Sequence, residues 1–169
     1  MIAGMEIRRL NTADAGAYRS VRLRGLREHP EAFTSSWEDD GGKPVADSEA
    51  RLASPHQRHW GAFVDGQLQG IVGLELLQRP KERHKARVVG MYVVAERAGA
   101  GLGAALLEAV LADVRRSGLT DLVLTVSEGN DAALRLYRKA GFVAFGTEPR
   151  AIRVGDRHVG KIHMHAQVA

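Results

Sequence analysis

No cysteine occurs in the chain, so disulfides, thiolate nucleophiles and Cys-ligated zinc are all excluded. Nor is there an apolar run near the ~18 residues that a membrane span needs. The N-terminal MIAGMEIRRLN meets charge too early for a secretory leader. These absences suit a cytoplasmic address with no membrane partner. Aromatic residues are scarce, 5% of the chain, and too scattered for a base-stacking platform. Lys and Arg number 24 against 20 Asp and Glu, with a pI near 9.8. They form no dense run, so nucleic acid is not an expected partner, and the surplus reads as mild attraction for anions. No Gly-Lys-Ser/Thr triplet occurs, which removes the nucleoside-triphosphate loop. Repeats, low-complexity tracts and linkers are missing as well. At 169 residues, 44% of them apolar, the expectation is one domain over residues 1–169, burying roughly two thirds of its unfolded surface.

What is present is a patterned stretch over residues 88–112, VVGMYVVAERAGAGLGAALLEAVLA. It reads as a β-branched strand (residues 88–94), a turn (95–100) and a helix that starts at the glycines. Gly99, Gly101 and Gly103 remove the Cβ atoms that would hold a bulky anion off the backbone, and the helix start offers unpaired N–H groups and a positive dipole end. Such a turn is a phosphate cradle. Read loosely, Gly99-Ala100-Gly101-Leu102-Gly103-Ala104 fits the degenerate dinucleotide fingerprint. Against that, Ala95-Glu96-Arg97-Ala98 separates strand from glycines, and few residues follow Ala104 for a doubly wound nucleotide fold.

The remaining elements follow in order. Residues 5–10 alternate weakly. Asn11 or Thr12 then caps a helix, with Asp14 in its first turn, that runs to about Glu28 and is stopped by His29-Pro30. Tyr18, Val21, Leu23 and Leu26 give it a partial apolar stripe; Arg19, Arg22, Arg24 and Arg27 read as a solvated face. Residues 34–48 read as a surface loop anchored by Trp37. The functional reading of that loop is a mobile acidic wall, Glu38, Asp39 and Asp40, that recognises a cationic acceptor. A short helix follows at 48–53. Strands over 58–65 and 67–77 join at Asp65-Gly66, a favoured hairpin pair. Trp60, Ala62 and Val64 share a face of the first. Leu68, Val72, Leu74 and Leu76 share a face of the second, with Ile71, Glu75 and Leu77 opposite. The strand over 88–94 completes an antiparallel meander.

Leu102, Ala105, Leu106, Ala109, Val110 and Val114 form the apolar stripe of the next helix, closed by Gly118. A strand over 121–127 leads to a helix capped by Asn130, with Ala133, Leu136, Tyr137 and Ala140 on one face and Gly141 at its end. The last strands cover 142–146 and 159–166, joined across 149–158. The pattern argues for an α/β chain, an α+β mixed sheet with helices on its faces. His163 and His165 share a strand face near His158 without a clear third ligand, so no metal is expected.

Two segments resemble the Gcn5-related N-acetyltransferase (GNAT) superfamily. Its coenzyme A signature is Arg/Gln–x–x–Gly–x–Gly/Ala after a hydrophobic strand, then Asn–x–x–Ala–x–x–x–Tyr–x–x–x–Gly–Phe downstream. Gly101 and Gly103 take the two small positions, and Asn130, Ala133, Tyr137, Gly141 and Phe142 match the second segment in full. Ala98 stands at the Arg/Gln position, with Arg97 one residue early. The segments around residues 24–39 and 146–164 resemble bacterial members whose acceptors are unassigned.

The resemblance implies a strand, two helices, three strands, a helix, a strand, a helix and two strands, with the sheet splayed between the fourth and fifth strands. It implies transfer of an acetyl group from acetyl-CoA, as co-substrate, to a small-molecule or protein amine. Met91, Val93, Val94, Arg97, Ala98, Gly99, Ala100, Gly101, Leu102, Gly103, Ala104, Asn130, Ala133 and Tyr137 would hold the coenzyme. The N–H of Val93 would meet the thioester carbonyl, and Tyr137 would act as general acid to the departing thiolate. The base is read from the residues. Glu75 comes first, on a face where burial would raise its pKa, ahead of Glu38, Asp39, His84 and Glu128. Trp37, Glu38 and Asp39 are the expected acceptor contacts. A non-catalytic coenzyme A sensor of the same fold and an NAD(P) oxidoreductase are the rival readings. Assembly state is left open, homodimer included.

Overall fold

A computed structural model describes residues 2–169. One sheet holds seven strands: β1 (Met5–Arg9), β2 (Gln57–Val64), β3 (Gln67–Leu76), β4 (Lys85–Val93), β5 (Asp121–Ser127), β6 (Val143–Val154) and β7 (Arg157–Gln167). Their order is β1-β2-β3-β4-β5-β7-β6. Helices α1 (Ala15–Glu28) and α3 (Val45–Ala53) cover one face, with the short α2 (Trp37–Gly41) packed on α1. Helices α4 (Leu102–Arg116) and α5 (Asp131–Lys139) cover the other. Among the described residues no helix is long and apolar enough to cross a membrane.

Neighbouring strands are antiparallel except β4 and β5, which run parallel and pair only through Lys85, Ala86 and Arg87. Beyond Arg87 the two strands part, so the C-terminal half of β4 keeps one free edge. This is the splay expected between the fourth and fifth strands.

Two bulges decide which side chains face which core. Ala62 pairs with Gly70 and Phe63 with Leu68, so Gln69 is an extra residue in β3. Leu68 therefore packs with Ile71 under α1, not with Val72 and Leu74 as regular alternation predicts. In β4, Ile71 pairs with Tyr92 but Gly73 with Val89, leaving Gly90 and Met91 opposite Val72. Gly90 has φ +61°, a backbone state that a side chain would disfavour. The extra residue turns Val88 toward α4 and Tyr92 toward α1.

Three expectations change. Residues 34–48 are not an open loop. The Ser36 hydroxyl accepts from the Asp39 N–H to cap α2, and α3 begins at Val45, three residues before the helix expected there. The arginines of α1 are not a solvated face. Arg22 pairs with Asp40 at 2.8 Å, Arg24 with Glu28 and Glu96 at 2.7 Å each, and Arg19 donates to the carbonyls of Gly41 and Lys43. They tie α1 to α2 and to the turn before α4. Finally, β6 runs through Pro149 to Val154 and turns tightly at Gly155-Asp156. Proline is tolerated because β6 is an edge strand whose pairing is interrupted between Glu148 and Ile152.

Candidate active site

The bend after β4 is a 3₁₀ turn over Ala95–Arg97 and then Ala98, Gly99, Ala100 and Gly101. Gly101 is the N-cap of α4 at φ +90°, with no side-chain cap. The N–H groups of residues 101–104 have no acceptor among the described residues, as the first turn of a helix dictates. A Cβ added at Gly99 or Gly101 would meet nothing within 4 Å, so the space above the bend is open. At Gly103 a Cβ would lie 3.3 Å from Leu136 Cδ2, so glycine there lets α4 settle against α5. The result is a cleft of about 790 Å³ lined by Met91, Val93, Arg97, Ala98, Gly99, Gly101, Leu102, Gly103, Ala104, Asn130 and Ala133. Unpaired N–H groups, a helix N-terminus and the Arg97 guanidinium make this a fit for a diphosphate. Arg97, one position before Ala98, brings a cation to the cleft wall.

A second cavity of about 430 Å³ opens through the parting of β4 and β5. Both cavities are lined by Ala32, Phe33, Met91, Ser127, Asn130 and Ala133, so they adjoin along these residues. The Val94 N–H donates to the Gln69 carbonyl of β3 at 2.9 Å. Since N–H groups alternate along a strand, that of Val93 points the other way, into the parting. The Asn130 side chain accepts from the Ala133 N–H at 3.2 Å and caps α5.

Tyr137 lines the second cavity from α5, its ring edge-on to Phe142 at 5.8 Å. Its hydroxyl has no hydrogen-bond partner among the described residues. No buried side-chain polar atom there lacks one either, so this oxygen reaches the cavity surface. Burial of the ring pushes the phenol pKa above its usual 10, so the group stays protonated at neutral pH.

Other expected residues fall elsewhere. Val94 is buried in the core beneath α1, and Ala100 packs against the α4 core; neither lines the cleft. Glu75 does line the second cavity, but its side chain is 41% exposed and pairs with Arg87 at 3.3 Å, so it is not the buried carboxylate expected. The face was right; the partner came from the register of β4. Trp37, Glu38 and Asp39 line neither cavity. Trp37 stacks under the Arg27 guanidinium, and Asp40 is neutralised by Arg22 and Lys43. His84 is exposed just before β4 and lines neither cavity, whereas Glu128 lines the cleft at the glycine bend. His165 bonds Asp121 at 2.7 Å, and His163 lies 3.8 Å from Glu148.

The structure adds residues that no local pattern singled out. Phe33 stands where the two cavities meet, and the Ser127 hydroxyl donates to the Glu31 carbonyl, holding the connection after α1 against β5. His59, buried beside Tyr18 and bonded to Gln57 at 3.0 Å, forms part of the second cavity. Burial, and then the cations Arg51, Arg22 and Arg9, push its pKa down to about 4.

Known proteins share this fold and sequence pattern. The N-alpha-acetyltransferase RimI of Mycobacterium tuberculosis is 38% identical over 117 residues, covering 69% of this chain and 70% of that protein. The chain also matches mycothiol acetyltransferases but spans only 37–46% of their length. A GNAT-family acetyltransferase structure from Streptococcus pneumoniae superposes with a TM-score of 0.83 at 28% identity, covering 96% of this chain and 99% of that one. The yncA structure from Salmonella typhimurium, solved with its cofactor acetyl-CoA, has the same fold at TM-score 0.81 and 21% identity, covering 98% and 95%. The sequence model of the acetyltransferase (GNAT) family matches residues 23–142, from α1 through the end of α5 to Phe142. The chain belongs to the GNAT acetyltransferase family.

Proposed function

We propose that this chain moves an acetyl group from acetyl-CoA to a primary amine by direct attack, with Tyr137 as general acid. The observation that carries the reading is the pair of adjoining cavities. One holds the glycine bend, the other holds a phenol with no internal partner, and the free edge of β4 lies between them. The bend and Arg97 grip the diphosphate. The free edge of β4 offers backbone groups to the pantetheine amides, as an added strand would use them.

The amine nitrogen enters from the second cavity and attacks the thioester carbonyl carbon. A C–N bond forms and the C–S bond breaks. The Val93 N–H faces the carbonyl oxygen as that oxygen gains charge; losing a donor of this kind costs about 3 kcal/mol of transition-state stabilisation. The amine's surplus proton leaves to Glu75 or to water in the cavity. Tyr137 gives its proton to the sulfur and regains one from solvent. Because its pKa lies above that of a thiol, ~8.5, the proton moves late, once the sulfur carries charge.

Tyr137→Phe keeps the ring and removes the proton. Turnover, read as coenzyme A thiol release with an amine panel, should fall about a hundredfold or more. Coenzyme A affinity by calorimetry should stay within about twofold, since the ring packing is kept. Unchanged turnover would remove Tyr137 from the mechanism. Coenzyme A binding with no thiol release on any amine would favour a coenzyme A sensor over a transferase.

A further inference from the structure

The second cavity is walled by cations. Arg22 and Arg51 enter from α1 and α3, Arg87 from β4 and Lys161 from β7, against one carboxylate, Glu75, already paired with Arg87. None of the four lines the coenzyme cleft, where Arg97 and Arg157 serve instead, so they are not spare phosphate contacts. Arg51 bonds only the neutral Tyr18 hydroxyl and Lys161 only the Thr34 hydroxyl; neither has a carboxylate partner among the described residues. Arg22 gives its Nε–H to Asp40, while its Nη1 lies 3.5 Å from where a Cβ of Gly90 would be, beside the bulge that turns β4 into the groove. A guanidinium keeps unused donors in that arrangement, and an ammonium on Lys161 completes a field of one sign. A purely cationic acceptor would enter this space against repulsion.

We infer that the acceptor is an amine that also carries a carboxylate, bound by Arg51 and Lys161 with Arg22 behind them while its nitrogen faces the thioester. This rests on the transferase reading above and specifies its substrate class. It also reverses the expectation of a cationic acceptor, since the acidic residues that suggested one lie outside the groove. At about 430 Å³ the cavity suits an amino-acid-sized acceptor or the end of a peptide.

The test offers alanine, leucine and methionine, each as free amino acid and as carboxamide, together with spermidine and the dipeptide amide Ala-Asp-NH₂. The carboxamides hold a larger fraction of free amine, so chemistry alone would favour them. The inference expects kcat/KM at least about tenfold higher for the carboxylates, and weakest for spermidine. Preference for Ala-Asp-NH₂ over the free amino acids would identify the acid as a peptide side chain. Arg51→Gln and Lys161→Gln should each raise acceptor KM roughly ten- to a hundredfold, with the coenzyme KM unchanged. Lys161→Gln keeps the test valid if loss of the Tyr18 contact unfolds the Arg51 variant. Binding is read separately: the same carboxylates should raise the melting temperature of the coenzyme A-loaded protein, and less so in either variant. Preference for carboxamides or spermidine, or carboxylate binding indifferent to both substitutions, would overturn the inference. Carboxylate binding without turnover on any amine would instead overturn the transferase reading.

Discussion

His59 shows how far a single side chain is governed by its surroundings. Its ring is buried against Tyr18 and fills the space that a Cβ on Gly73 would need, within the field of Arg51, Arg22 and Arg9. The folded protein therefore refuses, down to about pH 4, a proton that the unfolded chain accepts near 6.5. Stability from this residue is fully present above pH 6.5 and is lost as the pH falls toward 4, on the order of 3 kcal/mol. Urea midpoints at pH 7 and pH 4.5 should therefore separate less in His59→Gln than in the parent. An equal separation would mean that the ring is not the acid-sensitive group. Neither His59 nor Arg51 nor Lys161 was legible in the sequence, because β2, α3 and β7 bring them together only after folding. Tyr137, Asn130 and the glycines were legible, because contiguous segments hold them. Glu75 lay between these cases: strand alternation gave its face, but only the β4 register could supply Arg87 as its partner.

At the scale of elements, periodicity found the helices except the short α2, and most strands, and failed where the period breaks. A bulge is one added residue with no composition of its own, so Gln69 and the Gly90-Met91 pair were invisible, and Leu68 was placed on the wrong face. Pro149 looked like a strand end because a central strand would not accept it; only the position of β6 at the sheet edge allows it. The bend before α4 was read correctly because it needs particular residues. Gly101→Ala should strain its left-handed backbone by about 1–2 kcal/mol and lower coenzyme A affinity about tenfold as the N–H groups shift. Gly118→Ala, also at positive φ but at the other end of α4, is the matched control. It should lower the melting temperature comparably and leave coenzyme A affinity unchanged. Equal affinity losses in both would mean that the bend does not hold the diphosphate.

For the whole molecule, the decisive feature is that one sheet is built as two halves that meet over three residue pairs and then part. Helices α1 and α3 close the parting from one side and α5 from the other, so a groove runs through the sheet rather than over it. The β4 bulge and the Ser127–Glu31 contact shape that passage, and the glycine bend sets one end of it. The family resemblance made the splay foreseeable; the charge of the passage beyond it was not, since Arg22, Arg51, Glu75, Arg87 and Lys161 come from five separate elements.

A crystal structure of the chain with acetyl-CoA tests this picture most directly. The account predicts the diphosphate on the N–H groups of residues 101–104, the acetyl carbonyl toward the Val93 N–H, and the sulfur within about 3.5 Å of the Tyr137 hydroxyl. A thioester lying outside the parting of β4 and β5, or a Tyr137 hydroxyl turned away to a protein partner, would contradict it.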